Sequence, residues 1–209
     1  MNHLAIRRAL VSLSDKTGLE VLLEGLAPFA VEIYSTGGTF KSIQSWLATQ
    51  ATTALKLHAL EDYLNYPEMP GGLVKTLHPR VHGGLLADLQ DSAQRAHMQE
   101  QGMVAFDLCA VNLYPFENTV ASGADSESCR RQIDIGGVAM LRAAAKNYPR
   151  LAVLCQPQDY ARVLQEMQQN QGCLSAATRL YLAQAAFRHV LHYDAAICRH
   201  LDTLQEVPC

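Results

Sequence analysis

Several short segments combine residue types that chemistry needs. Thr36-Gly-Gly-Thr39 follows a strand-like run and precedes a helical one. Its backbone N–H groups can therefore converge on an anion that the glycines let approach closely. Ser14 and Lys16, at the end of an earlier strand-like run, add a hydroxyl and a cation. Together they suggest a phosphate cradle, although a Gly-Gly pair by itself serves equally as a tight turn. Lys75 opens Lys75-Thr-Leu-His-Pro-Arg-Val-His82, where a lysine can stabilise a developing oxyanion or be a solvated surface cation. Asn112-Leu-Tyr-Pro115 offers an amide and a phenol to the polar edge of a ligand. Tyr114 is equally compatible with a core position whose hydroxyl is satisfied. In Ile133-Asp-Ile-Gly-Gly137, which leads into a helix ending near Lys146, Asp134 is either a helix cap or a general base.

The elements that must hold these residues follow from periodicity. Strand-like runs occupy Ala9–Ser14, Val31–Ser35, Leu55–Leu60, Leu108–Leu113 and Leu151–Cys155. Helical spacing joins Leu19, Leu22, Leu23, Leu26 and Ala30, and predicts further helices over Phe40–Gln50, Ser92–Gln101, Val138–Asn147 and Gln158–Asn170. A last long helix is capped by Ser175 and runs past His200, serving core packing or a subunit contact. Strands alternating with helices predict an open doubly wound α/β domain, whose ligands sit beyond the carboxyl ends of the strands. Between Tyr66 and Leu86 a segment dense in Gly, Pro, Lys, Arg and His fits neither period. Long irregular segments in compact domains are often functional.

Composition removes other readings. The chain has 209 residues, 49% hydrophobic, with 17 basic and 20 acidic side chains and a formal charge of -3. That size and balance fit a single domain able to bury a core without staples. No sustained basic block points to nucleic acid, and no apolar run approaches a membrane span or a secretory leader. A cytoplasmic location is expected. The six cysteines are scattered without a Cys-x-x-Cys pair, so reduced thiols are expected. His78 with His82, and His189 with His192, have spacings seen in metal sites. They lack matching Cys or carboxylate ligands, and Pro79 argues against one continuous helix carrying the first pair.

Ser14-Asp-Lys-Thr-Gly18, Ser35-Thr-Gly-Gly-Thr39, Tyr66-Pro-Glu-Met69, Val74-Lys-Thr-Leu-His-Pro79, Val81-His-Gly-Gly84, Asn112-Leu-Tyr-Pro-Phe116, Ile133-Asp-Ile-Gly-Gly137 and Leu141-Arg-Ala-Ala-Ala-Lys-Asn147 occur in this order. The set resembles the IMP cyclohydrolase domain of the bifunctional AICAR transformylase/IMP cyclohydrolase family, over nearly the whole chain. The resemblance implies a methylglyoxal-synthase-like α/β fold: an open parallel sheet flanked by helices, with additional C-terminal helices, as one domain over residues 1–209. It implies dehydrative closure of formyl-AICAR ribotide to IMP, with no metal and no cofactor. Nucleotide-binding positions carry over to Ser14, Lys16, Thr36, Gly37, Gly38, Thr39, Lys75, Thr76, Asn112, Leu113, Asp134 and Ile135. Catalytic positions carry over to Lys75, Tyr114, Asp134 and Lys146. A homodimer is expected from the family, and with the transformylase domain absent, a separate transformylase would supply the substrate.

The chain departs from the family in places. Leu73 stands where the family has an arginine two positions before the lysine, and leucine cannot supply bidentate hydrogen bonds. The Ser45–His58 stretch is longer than the family's, and Leu64-Asn65 replaces a Thr-Gly pair; these changes are expected to cluster beside the site. Two alternatives therefore stand beside the cyclohydrolase: a non-catalytic purine-nucleotide-binding regulatory module, and a cyclohydrolase for a related aminoimidazole substrate. Methylglyoxal synthase activity fits less well, because the Lys75, Asn112 and Asp134 motifs resemble the purine enzyme. Asp134 and Lys146 are 12 residues apart, about 18 Å along a straight helix. Their joint action predicts that the chain bends at Gly136-Gly137 and folds back, or that sites are shared between subunits; the bend is the expectation.

Overall fold

The computed structural model describes residues 3–66, 69 and 74–204. Leu73 lies outside the described residues, as does Cys209, the last of the six cysteines. A five-stranded, all-parallel sheet has the order β4 (Lys56–Ala59), β3 (Glu32–Ser35), β2 (Arg8–Ser12), β5 (Leu108–Val111), β6 (Ala152–Leu154). β5 and β6 are buried along their whole length, as are Ala9, Leu10 and Val11 of β2. Continuous burial of this kind requires cover on both faces of a parallel sheet. A two-residue ribbon pairs β1 (Leu4–Ala5) antiparallel with β7 (Cys173–Leu174).

The helices supply the cover. α1 (Leu19–Leu26) buries Leu19, Leu22, Leu23 and Leu26 and packs against α9 (Tyr160–Gln169). α2 (Gly37–Thr49) lies against β2, β3 and β4. α8 (Gly136–Lys146) covers β5 and β6, and the 26-residue α10 (Ala176–Leu201) packs along α8 and β6. Ser175 caps α10 by accepting from the Thr178 N–H. Shorter helices α3 (Leu60–Leu64), α4 (Pro79–Leu86), α5 (Ser92–Glu100), α6 (Phe116–Ala121) and α7 (Ser126–Arg131) fill the connections. Among the described residues no helix is long and apolar enough to cross a membrane, and no group of three or more His, Cys, Asp or Glu could hold a metal ion.

The expected strands and long helices are present, with three corrections. The Tyr66–Leu86 segment is not irregular throughout: it ends in α4, and Pro79 begins that helix instead of breaking it. At the first helical position the missing proline N–H has no helical partner to lose, and His78 Nδ1 accepts from the Arg80 N–H at 3.1 Å. The longer Ser45–His58 stretch is not beside the site. It forms the end of α2, the connection after it and Lys56–His58 of β4, with the added length before the amino end of that strand, whereas ligands gather at the carboxyl ends. Finally, α8 is unbroken from Gly136 to Lys146, so the expected fold-back at Gly136-Gly137 does not occur. Those glycines start a helix.

Candidate functional site

β2, β3 and β5 all end at the same edge of the sheet, and the turns that follow them form one wall of a cavity of about 410 Å³. The opposite wall comes from Val74–Leu77 and from the loop that enters α8. Two helices therefore aim their amino ends into the same space, each beginning at a Gly-Gly pair: α2 at Gly37-Gly38 and α8 at Gly136-Gly137. The first N–H groups of a helix have no partners within it and carry a partial positive charge, so both ends favour anionic or oxygen-rich groups.

The α2 end is the more cationic. A side chain on Gly37, whose φ is +42°, would place its Cβ 2.9 Å from Lys75 Nζ, and one on Gly38 would lie 3.7 Å from Lys16 Nζ. Two ammonium groups thus stand over the turn; a side chain would crowd Lys75 at Gly37 but would only touch Lys16 at Gly38. Lys16 Nζ donates to the Ser14 carbonyl at 2.9 Å. Lys75 Nζ lies 3.2 Å from Glu61 Oε1 of α3, with its side chain 21% exposed. Thr39 works inward: its buried hydroxyl accepts from the Leu13 N–H and donates to the Leu13 carbonyl, both at 2.9 Å, fastening α2 to the end of β2. Thr36 Oγ1 lies 2.9 Å from Ser12 Oγ.

Asn112 has a similar inward role. Its Oδ1 accepts from the N–H groups of Ser14 at 2.5 Å and Asp15 at 3.2 Å, and its Nδ2 donates to the Asp15 carbonyl at 2.6 Å. The amide holds the turn after β2 in place across the β2–β5 boundary while still lining the cavity.

At the α8 end Asp134 caps the helix, Oδ1 accepting from the Gly137 N–H at 2.7 Å, and the Tyr114 backbone N–H also bonds its carboxylate. Burial raises the Asp134 pKa above the ordinary 3.8 and outweighs those two donors, which lower it. The loop is pinned from behind by Tyr193 of α10, whose hydroxyl accepts from the Asp134 N–H and donates to the Gln132 carbonyl, both at 2.8 Å. Thr76 sits against α8: any side chain on Gly136 would strike its hydroxyl. The Tyr114 side chain, 49% exposed, and Ile135, 62% exposed, border the same space.

Ser14, Lys16, Thr36, Gly37, Gly38, Thr39, Lys75, Thr76, Asn112, Tyr114, Asp134 and Ile135 are thus brought to one cavity. Two expected residues are not. Leu113 is buried in the core. Lys146, at the far end of unbroken α8, borders a separate groove between α8 and α10 that also touches Asp134. The sequence reading missed Arg131, which lines the cavity from the end of α7, and Ser12 beside Thr36. Arg131 ends a short polar helix with no hydrophobic period to mark it; its only signal was its place three residues ahead of Asp134.

Comparison with known proteins gives this geometry relatives. Residues 18–139 match the family model of the MGS-like domain, and residues 144–208 match that of the AICARFT/IMPCHase bienzyme. The chain is 46% identical to the bifunctional purine biosynthesis protein PurH of Acidithiobacillus ferrooxidans, over 95% of this chain and 37% of that protein. It is 48% identical to PurH of Mycobacterium marinum, over 92% of this chain and 35% of that protein. The chain therefore spans little more than a third of the length of these curated relatives. A solved structure, described as the crystal structure of ForH, superposes with a TM-score of 0.76 at 32% identity, covering 93% of this chain and 98% of that one.

Proposed function

Because the chain belongs to the MGS-like domain family and carries the AICARFT/IMPCHase bienzyme pattern in its C-terminal part, we propose that it is an IMP cyclohydrolase of purine biosynthesis. It would close formyl-AICAR ribotide to IMP with loss of water. The observation that carries this reading is a single cavity with two chemically different ends: two lysines over a helix amino end at one, and a half-buried carboxylate beside a tyrosine at the other.

The substrate's phosphate takes the α2 end, where Lys16 and the N–H groups of Gly37 and Gly38 offset its charge, leaving Lys75, whose neighbour Thr76 lies against α8, to reach the reacting groups. Its reacting groups then face Asp134 and Tyr114. The carboxamide nitrogen and the formyl carbon belong to one molecule, so proximity is built in; what is left for the protein is orientation and charge. Asp134 removes one proton from the carboxamide nitrogen as that nitrogen bonds to the formyl carbon, and the carbonyl electron pair moves to the formyl oxygen. Tyr114 and Lys75 supply the positive field and hydrogen bonds for that oxyanion. Protonation gives a carbinol. Its hydroxyl leaves as water with one further proton, and the formamido nitrogen gives up its own proton to form the ring double bond.

α8 runs unbroken for about 15 Å between Gly136 and Lys146, so in this protomer Asp134, just before its amino end, is itself the candidate to return the proton. A carboxyl whose pKa is raised by burial is suited to both halves of that exchange. A role for Lys146 would need a second chain, as in the homodimer expected from the family. The formylated substrate would come from a transformylase, as the description AICARFT/IMPCHase bienzyme of the matching family model suggests.

The test is to mix the purified protein with formyl-AICAR ribotide, without added metal, and follow IMP by absorbance and chromatography. Formation well above the uncatalysed rate is expected, and Lys75→Ala should lower turnover by about 100-fold or more. Tight IMP binding by a folded protein that forms no IMP would instead support a nucleotide-binding regulatory module. Closure of a related aminoimidazole in preference to formyl-AICAR ribotide would support altered specificity.

A further inference from the structure

The cavity's three cations are unevenly distributed among its described residues. Lys16 and Lys75 stand together over the α2 turn, and Arg131 is the cation on the rim at the Asp134 end. Its backbone is well fixed. α7 is capped by Asp125, which accepts from the Ser128 N–H at 2.7 Å; the Ile133 N–H bonds the Arg130 carbonyl, and Tyr193 clamps Gln132 and Asp134. Glu127 accepts from Arg131 Nε at 3.0 Å and from Arg130 at 2.7 and 2.8 Å. With Nε facing Glu127, the terminal fork of Arg131 projects from a side chain that is 73% exposed. An exposed pair of this kind contributes little to stability, so the fold alone does not account for an arginine here. Nor does Leu73 offer the guanidinium expected two positions before Lys75.

We propose, on the reading of the site given above, that Arg131 recognises the base of the nucleotide, its fork donating to the pair of acceptors formed by the six-position oxygen and N7. Arginine and this acceptor pair match in geometry, as in arginine's bidentate contact with guanine. The open-chain substrate presents the same pair in only one rotamer. When the carboxamide nitrogen faces the formyl carbon, as closure requires, the carboxamide oxygen lies on the N7 side. Arg131 therefore selects the rotamer that can react, and its contribution exceeds simple affinity.

The test compares Arg131→Ala with Arg130→Ala, which loses the same Glu127 contact but does not border the cavity. Calorimetry with IMP and with its analogue carrying carbon in place of N7 reads the contact directly. The wild type should prefer IMP by about tenfold and Arg131→Ala should bind the two alike, since a hydrogen bond to a charged donor carries an effect of that order. kcat/KM for formyl-AICAR ribotide should fall further than IMP affinity, by about 100-fold, because the substrate can rotate and IMP cannot. Arg131→Lys should recover only part, and Arg130→Ala should match the wild type. An Arg131→Ala protein that keeps the preference for N7, or behaves like Arg130→Ala, overturns the proposal. If the wild type forms no IMP but prefers it over the analogue and Arg131→Ala does not, the cyclohydrolase reading falls and the Arg131 contact stands; if the wild type binds neither, both fall.

Discussion

At the scale of the residue, the proposed cyclohydrolase asks Asp134 to hold two protonation states in one turnover, and its surroundings decide where those states meet. Burial raises its pKa above 3.8 against the pull of the Gly137 and Tyr114 N–H groups. The base form is needed first, so kcat/KM should fall as pH drops through this raised value, placing the acid limb above the ordinary aspartate range. A pH–rate profile with its acid limb at or below 3.8 would refute the desolvation account. The same shift affects stability with a defined sign: the fold favours the protonated carboxyl, so this group's contribution is fully present below its unfolded pKa and is lost as pH rises through the folded one. Asp134→Asn should remove the limb together with about 100-fold or more of the rate. The carboxylate was legible in the sequence as cap or base, and in the structure it is a cap that lines the cavity, where the proposed reaction would use it as a base. Arg131 was not legible, since nothing in Arg130-Arg131 distinguishes the one that faces the cavity.

At the scale of the element, the site is held by side chains that the sequence suggested would touch the ligand. The Thr39 hydroxyl spends both its donor and its acceptor on Leu13, and so sets where the amino end of α2 meets the end of β2. Thr39→Val, nearly the same shape, should leave the Leu13 N–H and carbonyl buried without that partner and cost about 2 kcal/mol in urea unfolding. IMP affinity should fall with it, because the turn proposed to hold the phosphate loses its fastening. Unchanged stability and binding would show that the turn is fixed by other contacts. The strands were readable because a covered parallel strand is a continuous apolar run, as Leu108–Val111 is. α4 was not, because Pro79 reads as a breaker unless its position at the first turn is known. The course of α8 was misread for a related reason: a Gly-Gly pair is compatible with a bend and with a helix amino end close to other atoms, and here Thr76 lies against Gly136.

At the scale of the whole molecule, the C-terminal helix is part of the site's foundation. Tyr193 pins the Asp134 loop, and buried Arg179 donates to the carbonyls of Tyr148, Pro149 and Leu174, joining α10 to the segment after α8 and to β7. Arg179→Met should strand buried carbonyls and cost about 3 kcal/mol or more, read as a lower urea midpoint at unchanged slope. A loss below about 1 kcal/mol would mean that those carbonyls find other donors. Parallel topology was inferable from the alternation of strands and helices, but the strand order was not, because no local pattern records which strand lies beside which. That order has a consequence for the growing chain. β2, the first strand of the sheet to be made, ends at its centre, with β3 on one side and β5 on the other. During translation β3 and β4 can join it early, but its other edge must wait until Leu108–Val111 has been synthesised. At about 5–20 residues per second, the nascent protein spends several seconds with an apolar strand edge open to any passing partner, and a chaperone would find it then.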